Sequence, residues 1–341
     1  MQYSADIQKL KHSFLPEHFS LTDWATLEPY FIQLQDREIN SSEDLEQWLK
    51  DMSEMEAFIS EDACWRQVRM TCDTENKTLE EAFNFFFMEI QPKIQPYADI
   101  LNKKLVDSPF TKDLDQEKYF TYLRSVKKSI DLFREANIPL QAEAAVLQQQ
   151  YGSIAGKMMI EQDGQEYTLQ QAGKFLESED RQIRETVYKK IAERRLVDKE
   201  PLNELFSKLV ALRHQVALNA GFSNYRDYKF AEMGRFDYTP ASCFQFHEAV
   251  KKEVVPLVNQ IYQEQQQRLG LDNMRPWDTE AEPAGIEPLR PFTDGRDLLD
   301  KSIKCLDALN PFFGDCLRKM DELNHLDLDS RKGKAPGGYN M

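Results

Sequence analysis

Glycine and proline are scarce in this chain, at 13 and 15 residues among 341. Turns draw on those two residues, so their scarcity argues against an architecture of many short strands and favours long elements, chiefly helices. Cysteine is sparse too. Cys64, Cys72, Cys243, Cys305 and Cys316 are odd in number and form no C-x-x-C pair, which argues against a disulfide framework or a zinc knuckle. They read as small buried hydrophobes in a reducing compartment. No apolar run approaches the ~20 residues that span a bilayer. The most apolar short stretch, Phe83–Ile90, is broken by Asn84 and Glu89. The N-terminal MQYSADIQKLKHSF has no apolar core and no small-residue cleavage site, so it does not read as a secretory signal. Positive charge is in deficit, with a net charge of -15. Such a field repels phosphate, so neither nucleic acid nor an anionic membrane is expected as a partner. The expected location is cytoplasmic.

Complete catalytic motifs are missing as well. Gly333-Lys334 lacks the upstream glycine and the following hydroxyl of a phosphate-binding loop, and there is no G-x-S-x-G. A zinc peptidase signature, H-E-x-x-H, places two imidazoles one helical turn apart with a carboxylate between them to polarise water. His247-Glu248 begins that way, but Lys251 stands where the second histidine belongs. An ammonium repels zinc and offers no lone pair, so no metal is expected there. His325, Asp327 and Asp329 alternate with Leu326 and Leu328. If extended, they share one face and form a candidate divalent-ion site, set against the ordinary reading of a solvated edge. His12, His18 and His214 make no i,i+4 pair.

What is present is helical periodicity. Tyr119, Leu123, Val126, Ile130 and Phe133 form one stripe, with Arg124, Lys127, Lys128 and Asp131 outside it and Pro139 closing the segment. Ile183, Val187, Ile191 and Leu196 form another, as do Leu205, Phe206, Leu209, Leu212 and Val216, with Gly221 placed as a stop. Helix starts are expected at Thr78 with Glu81, at Thr168 with Gln171, and at Thr239-Pro240. Pro256 should kink the run from Phe244 to Ile261. Gly156–Leu169 breaks the pattern, and Asp163-Gly164 predicts a tight β-hairpin there. That hairpin reads as the seam between a helical region, 1–155, and a second region, 156–341. Leu271–Gly295 is rich in proline, yet Trp277, Ile286, Leu289 and Phe292 are costly to leave in water, so it should pack on the surface. No solenoid-length repeat is visible.

The segment Arg331-Lys332-Gly333-Lys334-Ala335-Pro336-Gly337-Gly338-Tyr339 resembles the R-x-G-K-x-x-G-G loop of M3-family zinc oligopeptidases, and most closely the oligoendopeptidase F-like subgroup. Asp23-Trp24, Trp48-Leu49, Thr71-Cys72-Asp73-Thr74, Gly221-Phe222-Ser223-Asn224-Tyr225, Gly234-Arg235-Phe236-Asp237-Tyr238 and Pro276-Trp277-Asp278 resemble that subgroup in the same order. The resemblance covers essentially the whole chain. It implies a mainly α, two-lobed peptidase fold with a deep channel and a small β element, a zinc ion at the channel floor, and short unstructured peptides as substrates. It also implies that the Gly-rich loop precedes an H-E-x-x-H helix, which on this reading lies beyond Met341 in a C-terminal catalytic segment. Residues 156–341 are then the first part of the catalytic domain. No catalytic or metal residue is carried over, and no zinc is expected on this chain alone. Gly337, Gly338 and Tyr339 are carried over as substrate-channel lining, since glycine permits close backbone approach. The competing class is a non-catalytic helical protein that binds a peptide or partner on the same scaffold. Metal analysis and a peptide assay separate the two.

Overall fold

The computed structural model describes residues 12–341. It is mainly helical with one two-stranded antiparallel sheet, as the sparse turn formers imply. In chain order the elements are α1 (Trp24–Asp36), α2 (Ser42–Cys72), α3 (Lys77–Phe85), α4 (Gln91–Asp107), α5 (Gln116–Leu132), α6 (Ile138–Ala155), β1 (Met159–Gln162), β2 (Gln165–Thr168), α7 (Leu169–Ala172), α8 (Arg181–Val197), α9 (Lys199–Asn219), α10 (Tyr225–Glu232), α11 (Pro240–Ala249), α12 (Val255–Arg268), α13 (Gly295–Leu309) and α14 (Pro311–Glu322). The described chain divides into two compact units. A helical unit holds residues 12–155, 198–256 and 337–341, and a hairpin unit holds 156–197 and 257–336. The seam at Ala155 and Gly156 is therefore one of several crossings rather than a single boundary.

The helical unit is built on a continuous apolar core. Leu27, Phe31 and Leu34 of α1 meet Leu45, Trp48, Met52 and Met55 of α2, with Leu101 and Leu105 of α4 and Leu123 and Val126 of α5. Trp48 is fully buried, and its indole N–H donates to the Leu34 carbonyl at 2.8 Å. That bond removes the penalty of burying a lone donor. Asp23 caps α1 by accepting from the Thr26 N–H. Phe83 and Phe86 are core residues, and Phe86–Ile90 forms a wide π-helical turn between α3 and α4.

The hairpin unit turns where the sequence predicts. Asp163 and Gly164 both have positive φ, at 53° and 76°, as a tight turn between right-twisted strands requires. Met159 pairs with Thr168 and Gln162 with Gln165. Thr168 then ends β2 and caps α7 in a reciprocal box with Gln171. Downstream, Asp278 is fully buried.

Several expectations hold and several fail for identifiable reasons. Gly221 has φ of 85° just after α9, and Thr239 caps α11 with Pro240 following. Thr78 is not a cap: Asn76 lies two residues earlier and accepts from the Thr78 and Leu79 N–H groups. Pro139 opens α6 rather than closing α5, which ends at Leu132; a proline in the first turn gives up an N–H that has no intrahelical partner. Arg124 stays outside its stripe, and its guanidinium lies 4.2 Å from the Phe236 ring centroid. Leu196 and Phe206 are exposed despite lying on apolar stripes. A π-helical turn, Val250–Val254, precedes Pro256. In the proline-rich stretch Trp277 packs on Tyr188, but Leu289 is 95% exposed. Asp278 ties only the first part of that stretch to the unit.

Candidate functional site

The Gly-rich segment is held at its start by the hairpin unit. Ser330 shares a hydrogen bond with the Thr168 hydroxyl at 3.0 Å, and its carbonyl accepts from the Gln171 amide at 3.0 Å. The Gly333 N–H donates to the Gly156 carbonyl at 3.1 Å, with Gly333 at φ of 79°. The capping box that ends the hairpin thus also fixes the entry to the segment.

The basic residues fold back on the acidic run before them. Arg331 grips Asp327 through both carboxylate oxygens, at 2.7 and 2.9 Å. Lys334 donates to an Asp327 carboxylate oxygen at 3.1 Å and to the Asp327 and Asp329 carbonyls at 2.8 and 2.9 Å. Asp329 accepts the Gly295 N–H at 3.1 Å. The carboxylates of the candidate His325–Asp327–Asp329 site are therefore engaged by guanidinium, ammonium and amide groups, and the segment is not a strand.

Gly337, Gly338 and Tyr339 belong to the helical unit. Gly337 has φ of 98°, a conformation that disfavours any side chain. A Cβ at either glycine would meet nothing within 4 Å, so among the described residues no neighbour fills the space beside them. The Tyr339 hydroxyl is hydrogen-bonded to the Thr71 hydroxyl at the end of α2, while Tyr339 stays half exposed. Sequence reasoning singled out Thr71-Cys72-Asp73-Thr74 without a role for it. The partner lies 268 residues away, and no local pattern announces that contact.

His247 and Glu248 are exposed on α11. His247 lies beside the Phe244 and Phe246 rings, and the Lys251 ammonium stands 3.9 Å from the Glu248 carboxylate. Among the described residues, no group of three His, Cys, Asp or Glu side chains could hold a metal ion. Nor is any helix of the described residues long and apolar enough to cross a membrane.

Two further features carry unusual electrostatics. Asp278 receives Arg181 at 2.7 and 3.1 Å, Arg184 at 2.9 Å and the Arg275 N–H at 2.9 Å. Burial by itself raises its pKa, but the Arg181, Arg184 and Arg275 hydrogen bonds outweigh it and hold the carboxyl below its ordinary value. Within the helical unit, a cavity of about 470 Å³ is lined by Asp99, Lys128, Asn137, Gln141, Tyr228 and Glu232 among others. Burial, reinforced by the Glu232 charge, pushes the Tyr228 hydroxyl up and keeps it protonated.

A sequence model of the Peptidase M3 N-terminal domain matches residues 14–133, and one of Peptidase family M3 matches residues 174–341. No curated protein matches the chain. A putative oligoendopeptidase F, solved at 3.1 Å from crystals grown by microfluidic seeding, is 24% identical with a TM-score of 0.88, covering 94% of this chain and 57% of that one. PZ peptidase A with an inhibitor gives the same identity, coverage and TM-score. A putative oligoendopeptidase F from Bacillus anthracis is 22% identical with a TM-score of 0.88, over 94% of this chain and 59% of that one. At these identities the likeness establishes a shared fold. The chain spans less than two thirds of the length of these structures.

Proposed function

Because the chain belongs to the M3 peptidase family, we propose that it forms the scaffold and part of the substrate wall of a cytoplasmic zinc peptidase acting on short, unstructured peptides. The observation that carries this reading is the Gly-rich segment, which lies inside the matched catalytic region and ends in Gly337-Gly338-Tyr339 with open space beside both glycines. Backbone without side chains admits an extended peptide to close range. The half-exposed Tyr339 ring offers it an apolar surface with a polar tip.

The residues described do not fit the zinc ion itself. A catalytic zinc takes typically three protein ligands. The two histidine-centred candidates here are occupied by Lys251, Arg331 and Lys334. In this reading the zinc donors and the catalytic glutamate come from polypeptide outside residues 1–341, and no step of the reaction is assigned to side chains of this chain.

The test combines metal analysis with cleavage of a short quenched peptide. Residues 1–341 with added zinc should be inert. The protein extended to the length of its structural relatives should bind zinc and cleave in a chelator-sensitive manner. Chelator-sensitive cleavage by residues 1–341 alone would overturn the assignment of donors. Peptide binding without cleavage by the extended protein would favour the non-catalytic class.

A further inference from the structure

We propose that Thr71 is a positioning residue: it anchors the Tyr339 hydroxyl and so fixes the Gly337–Tyr339 backbone against which a peptide is bound. The inference rests on the functional reading above and gives the Thr71-Cys72-Asp73-Thr74 cluster a role.

The hydrogen-bond pattern gives the pair a direction. The Thr71 hydroxyl donates to the Val68 carbonyl at 3.0 Å, one turn earlier in α2. A threonine hydroxyl has a single proton. With that proton on Val68, Thr71 is the acceptor and Tyr339 the donor in the bond between them. A tyrosine donating from a known direction has its ring plane and its backbone constrained together.

The anchor is flanked by buried residues and its target is exposed. Met70 and Thr74, on either side of Thr71, are buried at 3% and 4% exposure. Gly337 and Gly338 have no Cβ to restrict them, and Tyr339 is 55% exposed. The hydroxyl pair ties this exposed, glycine-led stretch to a helix of the same unit. Tying the ring at its polar tip leaves the exposed part of its apolar surface open to a ligand. It also reduces the ordering that a bound peptide must impose.

The experiment compares Thr71→Val, Thr71→Ser, Tyr339→Phe and the Thr71→Val/Tyr339→Phe double variant in the full-length protein. The first readout is chymotrypsin cleavage after Tyr339, which follows local opening. Losing one ordinary hydrogen bond of about 1 kcal/mol should speed cleavage by ~5-fold in Thr71→Val. Thr71→Ser should restore the original rate. The second readout is short-peptide turnover, with KM raised by a similar factor and kcat changed less. Tyr339→Phe should match Thr71→Val in KM, and the double variant should be no worse than either. Unchanged chymotrypsin rates, or KM effects that add in the double variant, would overturn the proposal. A wild-type protein that neither binds nor cleaves peptides would overturn the function proposed above, while the chymotrypsin rates would still decide whether the anchor exists.

Discussion

In the helical unit the fully buried side chains include Trp48, Leu27 and Leu45, sealed among other apolar groups, whereas in the hairpin unit a carboxylate, Asp278, is buried as completely as Val187. The two arrangements respond differently to damage. Apolar burial is non-directional and spread over many contacts, so loss of one side chain costs what that side chain contributed plus its cavity. A buried ion cluster is directional. Removing one member takes away the counter-charge that the others were buried against.

The contrast is sharpest at Asp278. Asp278→Ala leaves the buried Arg184 guanidinium without its carboxylate and should cost about 3–5 kcal/mol in urea unfolding. The pH dependence has a defined sign. The carboxyl pKa is depressed in the folded state, so its contribution is complete above the unfolded value of about 3.9. That contribution is lost as pH falls through the depressed folded value. Unfolding followed by tryptophan fluorescence should therefore show an acid loss that Asp278→Asn flattens, and an unchanged acid slope in that variant would break the comparison.

Leu27→Ala in the helical unit should cost about 3 kcal/mol. Its effect should be equal at pH 7 and pH 4, because no titrating group is orphaned. A strongly pH-dependent penalty would mean the apolar core is not the independent support described here. The smallest effect is expected at the hairpin's exit. Thr168→Ala removes the cap of α7 and one contact to Ser330, and should cost about 1 kcal/mol by thermal unfolding. Thr168→Ser should recover most of it.

What could be read in advance follows the range of the interactions. The Asp163-Gly164 turn, the Thr168–Gln171 box, the Gly221 stop and the Thr239-Pro240 start are set within four residues and were legible. Periodicity located the helices but could not say which stripe residues find a neighbour, so Leu196 and Phe206 read as core and are exposed. Arg184 looks like one more charge on a charged helix. Its partner, Asp278, lies 94 residues on, too far for any local pattern to pair the two. The candidate site divides the same way. Gly337-Gly338-Tyr339 stood out by composition and resemblance, but the Thr71 contact is a product of tertiary folding. The His325–Asp327–Asp329 alternation shares one face only if extended, and Arg331 and Lys334, a few residues later, instead draw that segment into a local ionic knot.

The wide turn at Phe86–Ile90 has a consequence for lineage. Such a turn holds one residue more than an α-helical turn, and one residue is about 100° of helical phase. Phe86 and Ile90 enter the core from the turn itself, and Leu101 and Leu105 of α4 enter it further on. The phase of α4 is therefore set by a single inserted residue, absorbed inside a continuous helical run instead of in a loop. Where a relative carries an ordinary α-helical turn here, the one-residue gap belongs within Phe86–Ile90. Placing it in the loops on either side would rotate the core positions of α4 toward water and make a shared architecture look like a divergent one.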